Sequence, residues 1–219
     1  MGKKCAYCGE QAQSVDHVIP KSLYPKSIRN QNVRRLTVPS CNKCNTEFSD
    51  DEEHFRNIIT VGGHNTAIVN ELYYDKVYPS FSKSLRHFRQ LVGNMKGIDT
   101  PNGKRHIIYP MNDSKFERIL RKIFRGLGYH HFGCCVQNEN ISVDVLRDKI
   151  PEFIEGAKWY NFVPEVFEYI FDIYLIDEGY ISCWMVKFFE NRYFLGTINM
   201  TEEMMFNRER AIDIRKELT

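Results

Sequence analysis

The sequence predicts an α+β fold, and three observations carry that prediction. Two C-x-x-C pairs, Cys5/Cys8 and Cys41/Cys44, enclose short alternating runs near the N-terminus. From Ser114 to Leu127, apolar residues recur at helical spacing. From Glu165 to Ile198, apolar and polar residues alternate between turn signals, as antiparallel strands do. The expected organisation is a strand–loop–strand–helix module over residues 1–60, then an α+β domain over 61–219 built from a helical region and an antiparallel β meander.

Each element has a local reason. Gln13 to Ile19 alternates, with Val15, His17 and Ile19 on one side, and Pro20 ends the strand. Lys21 to Arg35 reads as a basic loop, and Leu36 to Val38 as a second short strand closed by Pro39. Ser49 with Glu52 forms a capping box, and the acids Asp50, Asp51 and Glu53 suit the positive end of the helix dipole. Gly62-Gly63 stops that helix.

Residues 65–92 suggest two helical stretches broken near Pro79. A turn follows at Asp99 to Gly103, then a strand from Lys104 to Tyr109. The Ser114 helix has its own capping box with Glu117 and an apolar stripe of Phe116, Ile119, Leu120, Ile123, Phe124 and Leu127. Its other face carries Lys115, Arg118, Arg121, Lys122 and Arg125, and Gly126 and Gly128 mark the exit. The meander turns at Asp177 to Gly179 and at Asn191-Arg192, and Thr201 to Leu218 reads as a terminal helix.

Composition narrows the functional class. A hydrophobic content of 42% in 219 residues with 15 Phe and 12 Tyr means a packed core, which excludes a disordered chain. The net charge of +2 carries little information, but its distribution does. Between His17 and Thr46 stand Lys21, Lys26, Arg29, Arg34, Arg35 and Lys43 with no carboxylate, whereas acids dominate from Glu152 to Glu190. A basic front suits a polyanion. No apolar run reaches the ~18 residues that span a bilayer, and Met1-Gly-Lys-Lys-Cys5 leads into a cysteine pair instead of an apolar leader. The seven cysteines, four of them in C-x-x-C pairs, fit a reducing compartment, so a soluble cytoplasmic protein without membrane contact is expected.

The two C-x-x-C pairs aim four thiolates, Cys5, Cys8, Cys41 and Cys44, at one ion, the closed shell of a structural zinc site. A short strand–strand–helix unit buries too little to fold unaided, and zinc supplies the missing stability. The gap between Cys8 and Cys41 exceeds that of a minimal zinc ribbon, and the insert carries Asp16-His17. His130-His131 and Cys134-Cys135 invite a second metal site, but adjacent cysteines chelate one ion poorly, and core packing is the better reading. His54 reads as a surface histidine, and Trp159 and Trp184 as core.

The order Cys5-x-x-Cys8, Asp16-His17-Val-Ile-Pro-Lys21, Cys41-Asn-Lys-Cys44-Asn45 resembles the HNH endonucleases, specifically their zinc-clamped branch. Phe48 to Arg56 extends the resemblance, which covers roughly the first quarter of the chain. It implies a ββα-metal fold that cuts phosphodiester bonds with one divalent ion. By position it makes His17 the general base, with Asp16 and Asn45 holding Mg²⁺ or Mn²⁺. The sequence departs from the family at the central Asn, where Arg34-Arg35-Leu36 stands and Asn32 is the nearest amide.

The chemistry is coherent on its own terms. A neutral imidazole takes a proton from water at cellular pH, and a hard oxygen-ligated cation neutralises the leaving oxygen. Lys21, Arg34 and Arg35 would position a phosphate backbone, with Arg118, Arg121 and Arg125 as a further contact stripe. DNA is the expected substrate, with RNA an alternative because phosphates look alike to a basic loop. Cutting both strands is easier for a homodimer. The rival reading is a non-catalytic zinc module that binds nucleic acid or protein, with Asp16-His17 as scaffold.

Overall fold

Proline and cysteine set the N-terminal geometry of the chain. The computed structural model describes residues 2–29, 31, 33, 35–62, 65–93, 95–100, 103–108, 113–145, 159–163 and 165–207. Strand β1 (Ser14–His17) pairs antiparallel with β2 (Thr37–Ser40), placing Asp16 opposite Val38 and His17 opposite Thr37. Val15 is 66% exposed, whereas Asp16 and Val18 are buried. The face shared by Val15 and His17 therefore points away from the core, and Asp16 points in. The expected basic loop contains a 3₁₀ turn (Lys21–Leu23) and a one-turn helix, α1 (Lys26–Arg29). Cys41 caps α2 (Asn42–Thr46), its Sγ accepting from the Cys44 amide.

Helix α3 (Ser49–Val61) corrects the first capping box. Phe48 is the N-cap, Ser49 Oγ donates to the Thr46 carbonyl, and Glu52 reaches away to another helix. Gly62 follows the helix as expected, and Gly63 lies outside the described residues. Next come α4 (Ala67–Leu72), a π turn (Tyr73–Val77), α5 (Tyr78–Lys83) and α6 (Leu85–Gly93). Pro79 does not end the helical run, which passes without a gap from α4 through the π turn into α5, and the break falls at the extended Ser84. Strands β3 (Met95–Thr100) and β4 (Gly103–Ile108) form a hairpin of which only the second strand was expected, because Met-Lys-Gly-Ile lacks a period-two pattern.

Helix α7 (Ser114–Phe132) is the centre of the fold. Its N-cap is Asp113, whose Oδ1 accepts from the Lys115 and Phe116 amides, and Glu117 pairs forward with Arg121, so the expected Ser114 box is not used. The helix ends at Gly133, which takes the left-handed φ of 71° that favours glycine. Gly126 lies inside the helix. It brings the backbone against Val18, so that an added Cβ would sit 2.7 Å from a Val18 methyl. All six stripe residues, Phe116 through Leu127, are fully buried.

A five-stranded antiparallel sheet covers another side of α7, in the order β5 (Ile141–Val145), β9 (Arg192–Asn199), β8 (Gly179–Phe188), β7 (Phe167–Ile176), β6 (Tyr160–Val163). The meander of β7, β8 and β9 is the expected one, and β5 and β6 extend it on both edges. Phe124 packs on Gly196 of β9, and Phe171 stacks on Trp184 at 4.1 Å. Trp159 is half-buried under Lys187, while Trp184 is core. Helix α8 (Glu202–Phe206) starts the expected terminal helix, capped by Thr201, and its remainder lies outside the described residues.

One apolar cluster runs from Cys5 to Met204 without interruption at residue 60. Among the described residues, no helix is long and apolar enough to cross a membrane.

Gly126→Ala tests how tightly α7 holds the hairpin. Alanine adds about 1 kcal/mol of helix propensity, but overpacking a fixed core costs about 1–3 kcal/mol. The expected result is a net loss of up to about 2 kcal/mol by urea denaturation. A variant as stable as its parent would mean that Val18 moves freely.

Candidate functional site

The four N-terminal sulfurs come together as their spacing predicts. The Sγ atoms of Cys5, Cys8, Cys41 and Cys44 all lie within 4.8 Å of one another, and Cys8 and Cys41 are 3.7 Å apart. A tetrahedral ion with bonds of about 2.3 Å requires sulfur separations of about 3.8 Å, so this donor set fits zinc. Backbone amides reinforce it: Tyr7 N–H donates to Cys5 Sγ and Cys44 N–H to Cys41 Sγ, each at 3.4 Å. Burial raises the Cys5 thiol, but backbone hydrogen bonds from Cys41, Tyr7 and Cys8 outweigh it and bring the group to about 7. Bound zinc would tie the first knuckle to α2 and fix the ends of β1 and β2. Among the described residues, no second such group of ligands occurs. His131 is packed among Tyr169, Phe171 and Trp184, its Nε2 2.9 Å from the Tyr169 hydroxyl.

Asp16 and His17 lie on opposite faces of β1 and have different neighbours. The Asp16 carboxylate is buried, and its Oδ2 accepts from the Tyr7 hydroxyl at 2.9 Å and from Lys122 Nζ at 2.8 Å. Lys122 also donates to Glu52 Oε1 at 2.6 Å, and its side chain is 0% exposed. Lys122, which the sequence places on the basic face of the helix, is thus a buried ammonium between two carboxylates. Burial raises the Glu52 carboxyl, with Lys122 opposing, and burial followed by the Asp16 charge raises the Tyr7 hydroxyl. Asn45 is half-buried, and its Nδ2 donates to Ser14 Oγ at 3.2 Å.

This arrangement does not fit the divalent ion that the resemblance implies. Such an ion needs open carboxylate oxygen and room for water. Asp16 instead carries a hydroxyl and an ammonium on one oxygen, beside the apolar rings of Tyr7 and Phe48.

His17 stands in a different setting. It is half-buried, and its Nδ1 is buried with no hydrogen-bond partner among the described residues. Burial, then the Lys21 ammonium, with Arg35 and Lys122 adding and Asp16 opposing, hold its pKa below the ordinary 6.5. Lys21 is exposed, and the Arg35 guanidinium donates to the Arg29 carbonyl at 2.9 Å and lies over the Tyr24 ring. Arg34 and Asn32 lie outside the described residues.

The α7 arginines have internal partners. Arg118 pairs with Asp51 at 2.8 Å and with Glu47 at 3.7 Å. Arg121 pairs with Glu117 and donates to the carbonyls of Asn138 and Ile141, and Arg125 donates to the carbonyls of Val136 and Tyr7. His54, expected at the surface, is buried with Nε2 2.6 Å from Asp113 Oδ2, linking α3 to the cap of α7. Sequence reasoning missed Lys122, Glu52, Tyr7 and the His54–Asp113 pair. One signal was available: Asp16 shares strand parity with Val18, and a carboxylate on a buried face needs a cation.

Two outcomes are expected. The purified chain should carry about one zinc, and Cys41→Ser should release it. Losing even about 3 kcal/mol of binding free energy lowers Tm by roughly 6–12 °C for a chain of this size, measurable by calorimetry. Lys122→Ala leaves Asp16 buried and Glu52 partly buried without their cation and should cost about 3–5 kcal/mol, whereas Arg121→Ala, at a partly exposed pair, should cost under about 1 kcal/mol beyond the loss of its carbonyl contacts.

No protein-family model, curated protein or solved structure matches this chain, so its function is read from the residues themselves.

Proposed function

We propose that the chain is a nucleic-acid phosphodiesterase, with DNA the expected substrate and RNA the alternative, whose zinc-braced N-terminal module presents His17 to a phosphate. The observation that supports this best is the setting of His17: half-buried, flanked by Lys21 and Arg35, and neutral at pH 7 because burial and those cations hold its pKa below 6.5. A neutral imidazole is what a general base must be. A ring nitrogen takes the proton of a water as its oxygen attacks phosphorus, the bond from phosphorus to the leaving oxygen breaks, and that oxygen takes a proton from solvent. Lys21 and Arg35 offset the negative charge gathering on the phosphoryl oxygens. No step runs through a divalent ion at Asp16. A homodimer would let two such sites act on opposite strands.

A second reading is favoured by one observation. The engagement of Asp16 by Lys122 and Tyr7 suits a scaffold role, in which the module binds nucleic acid without cutting it.

The test is cleavage of plasmid DNA and of single-stranded RNA by wild type and His17→Ala, with and without added Mg²⁺. The nuclease reading expects loss of at least about 100-fold in rate for the variant, the scale of a removed general base. Equal cleavage removes His17 from the mechanism, and binding without cleavage by either protein supports the scaffold. The pH dependence has a definite sign. His17 is protonated only below its depressed pKa, so the rate should be level near pH 7 and fall on the acid side below 6.5. Stability should fall in the same direction, because the unfolded chain takes up that proton first.

A further inference from the structure

We propose that the Lys122 ammonium is the resident cation of the Asp16 site, standing where the resemblance implies a divalent ion, so that the zinc-loaded chain holds no Mg²⁺ or Mn²⁺ at Asp16. The inference deepens the phosphodiesterase reading and rests on it only in taking Asp16 as the position at issue.

The geometry is that of a small cation site filled from inside. Nζ stands 2.8 Å from Asp16 Oδ2 and 2.6 Å from Glu52 Oε1, on two carboxylates from different elements, β1 and α3. The Tyr7 hydroxyl donates to the same Asp16 oxygen at 2.9 Å, and the rings of Tyr7 and Phe48 flank the ammonium at 5.9 and 5.2 Å. The lysine side chain is wholly buried, so an ion from solvent cannot replace it unless its stem leaves the space between α7 and the hairpin. A single positive charge against two carboxylates leaves the cluster one charge negative. Without the lysine, two carboxylates and the Tyr7 hydroxyl are left around one space, oxygen donors of the kind hard divalent cations take. Phosphate charge near His17 is then left to Lys21 and Arg35, as in the proposed step.

Mn²⁺ alone, added to zinc-loaded full-length protein without nucleic acid, decides the matter independently of any cleavage assay. In wild type, paramagnetic broadening of Tyr7 and His17 resonances should be absent. Lys122→Met, which keeps the stem and drops the charge, should gain about one Mn²⁺ per chain, together with a rise in Tm on Mn²⁺ addition that wild type lacks. A Lys122→Met chain that folds only with Mn²⁺ present supports the proposal equally. Selective broadening of Tyr7 in wild type overturns it, because the ammonium then gives way to the ion. A folded Lys122→Met that binds no Mn²⁺ overturns it too, because the carboxylates are then not a cation site. If that variant folds under neither condition, the wild-type spectrum decides.

Discussion

A buried ammonium fixes the relation between the two halves of this chain. Lys122 leaves α7 and ends between a carboxylate of β1 and one of α3. Buried ion pairs seldom add much net stability, because desolvation consumes most of the attraction. What they add is selectivity: another register of α7 would leave the buried Lys122 and Asp16 without their partners. The neighbouring pairs repeat the arrangement along the same interface, with Arg118 on Asp51 and His54 on the Asp113 cap. The helix is therefore positioned by discrete polar contacts on one side and by Phe124 against Gly196 on the other.

Much of the fold was legible because its signals are local. The cluster of four cysteines follows from spacing, the meander from alternation, and α7 from an apolar stripe that is buried in full. The failures share a cause. Ser49 and Ser114 look like caps in isolation, but Phe48 and Asp113 hold those positions, while Glu52 finds its partner across the fold in Lys122 and Glu117 pairs one turn forward with Arg121. Gly126 reads as a helix exit, yet serves as a point of close approach, because its neighbour Val18 is far away in sequence.

The candidate site divides along the same line. The clustering of the four cysteines was readable, being a property of two turns. The roles of Asp16 and His17 were not, because neighbours on a strand face opposite ways and tertiary partners decide what each side chain meets. Asp16 meets a lysine from a helix about a hundred residues later, and His17 meets cations from its own loop. A helical wheel assigns Lys122 to a polar face, but it cannot say that this face is covered.

The bond from Arg125 to the Tyr7 carbonyl spans 118 residues of chain. During synthesis the thiolate cage can close once Cys44 has emerged, long before α7 exists. A metal taken up at that stage would be bound with Asp16 still in water, before α7 arrives. Closure of the thiol cluster is thus a local event, whereas drying of the Asp16 carboxylate waits on a helix about a hundred residues further along the chain.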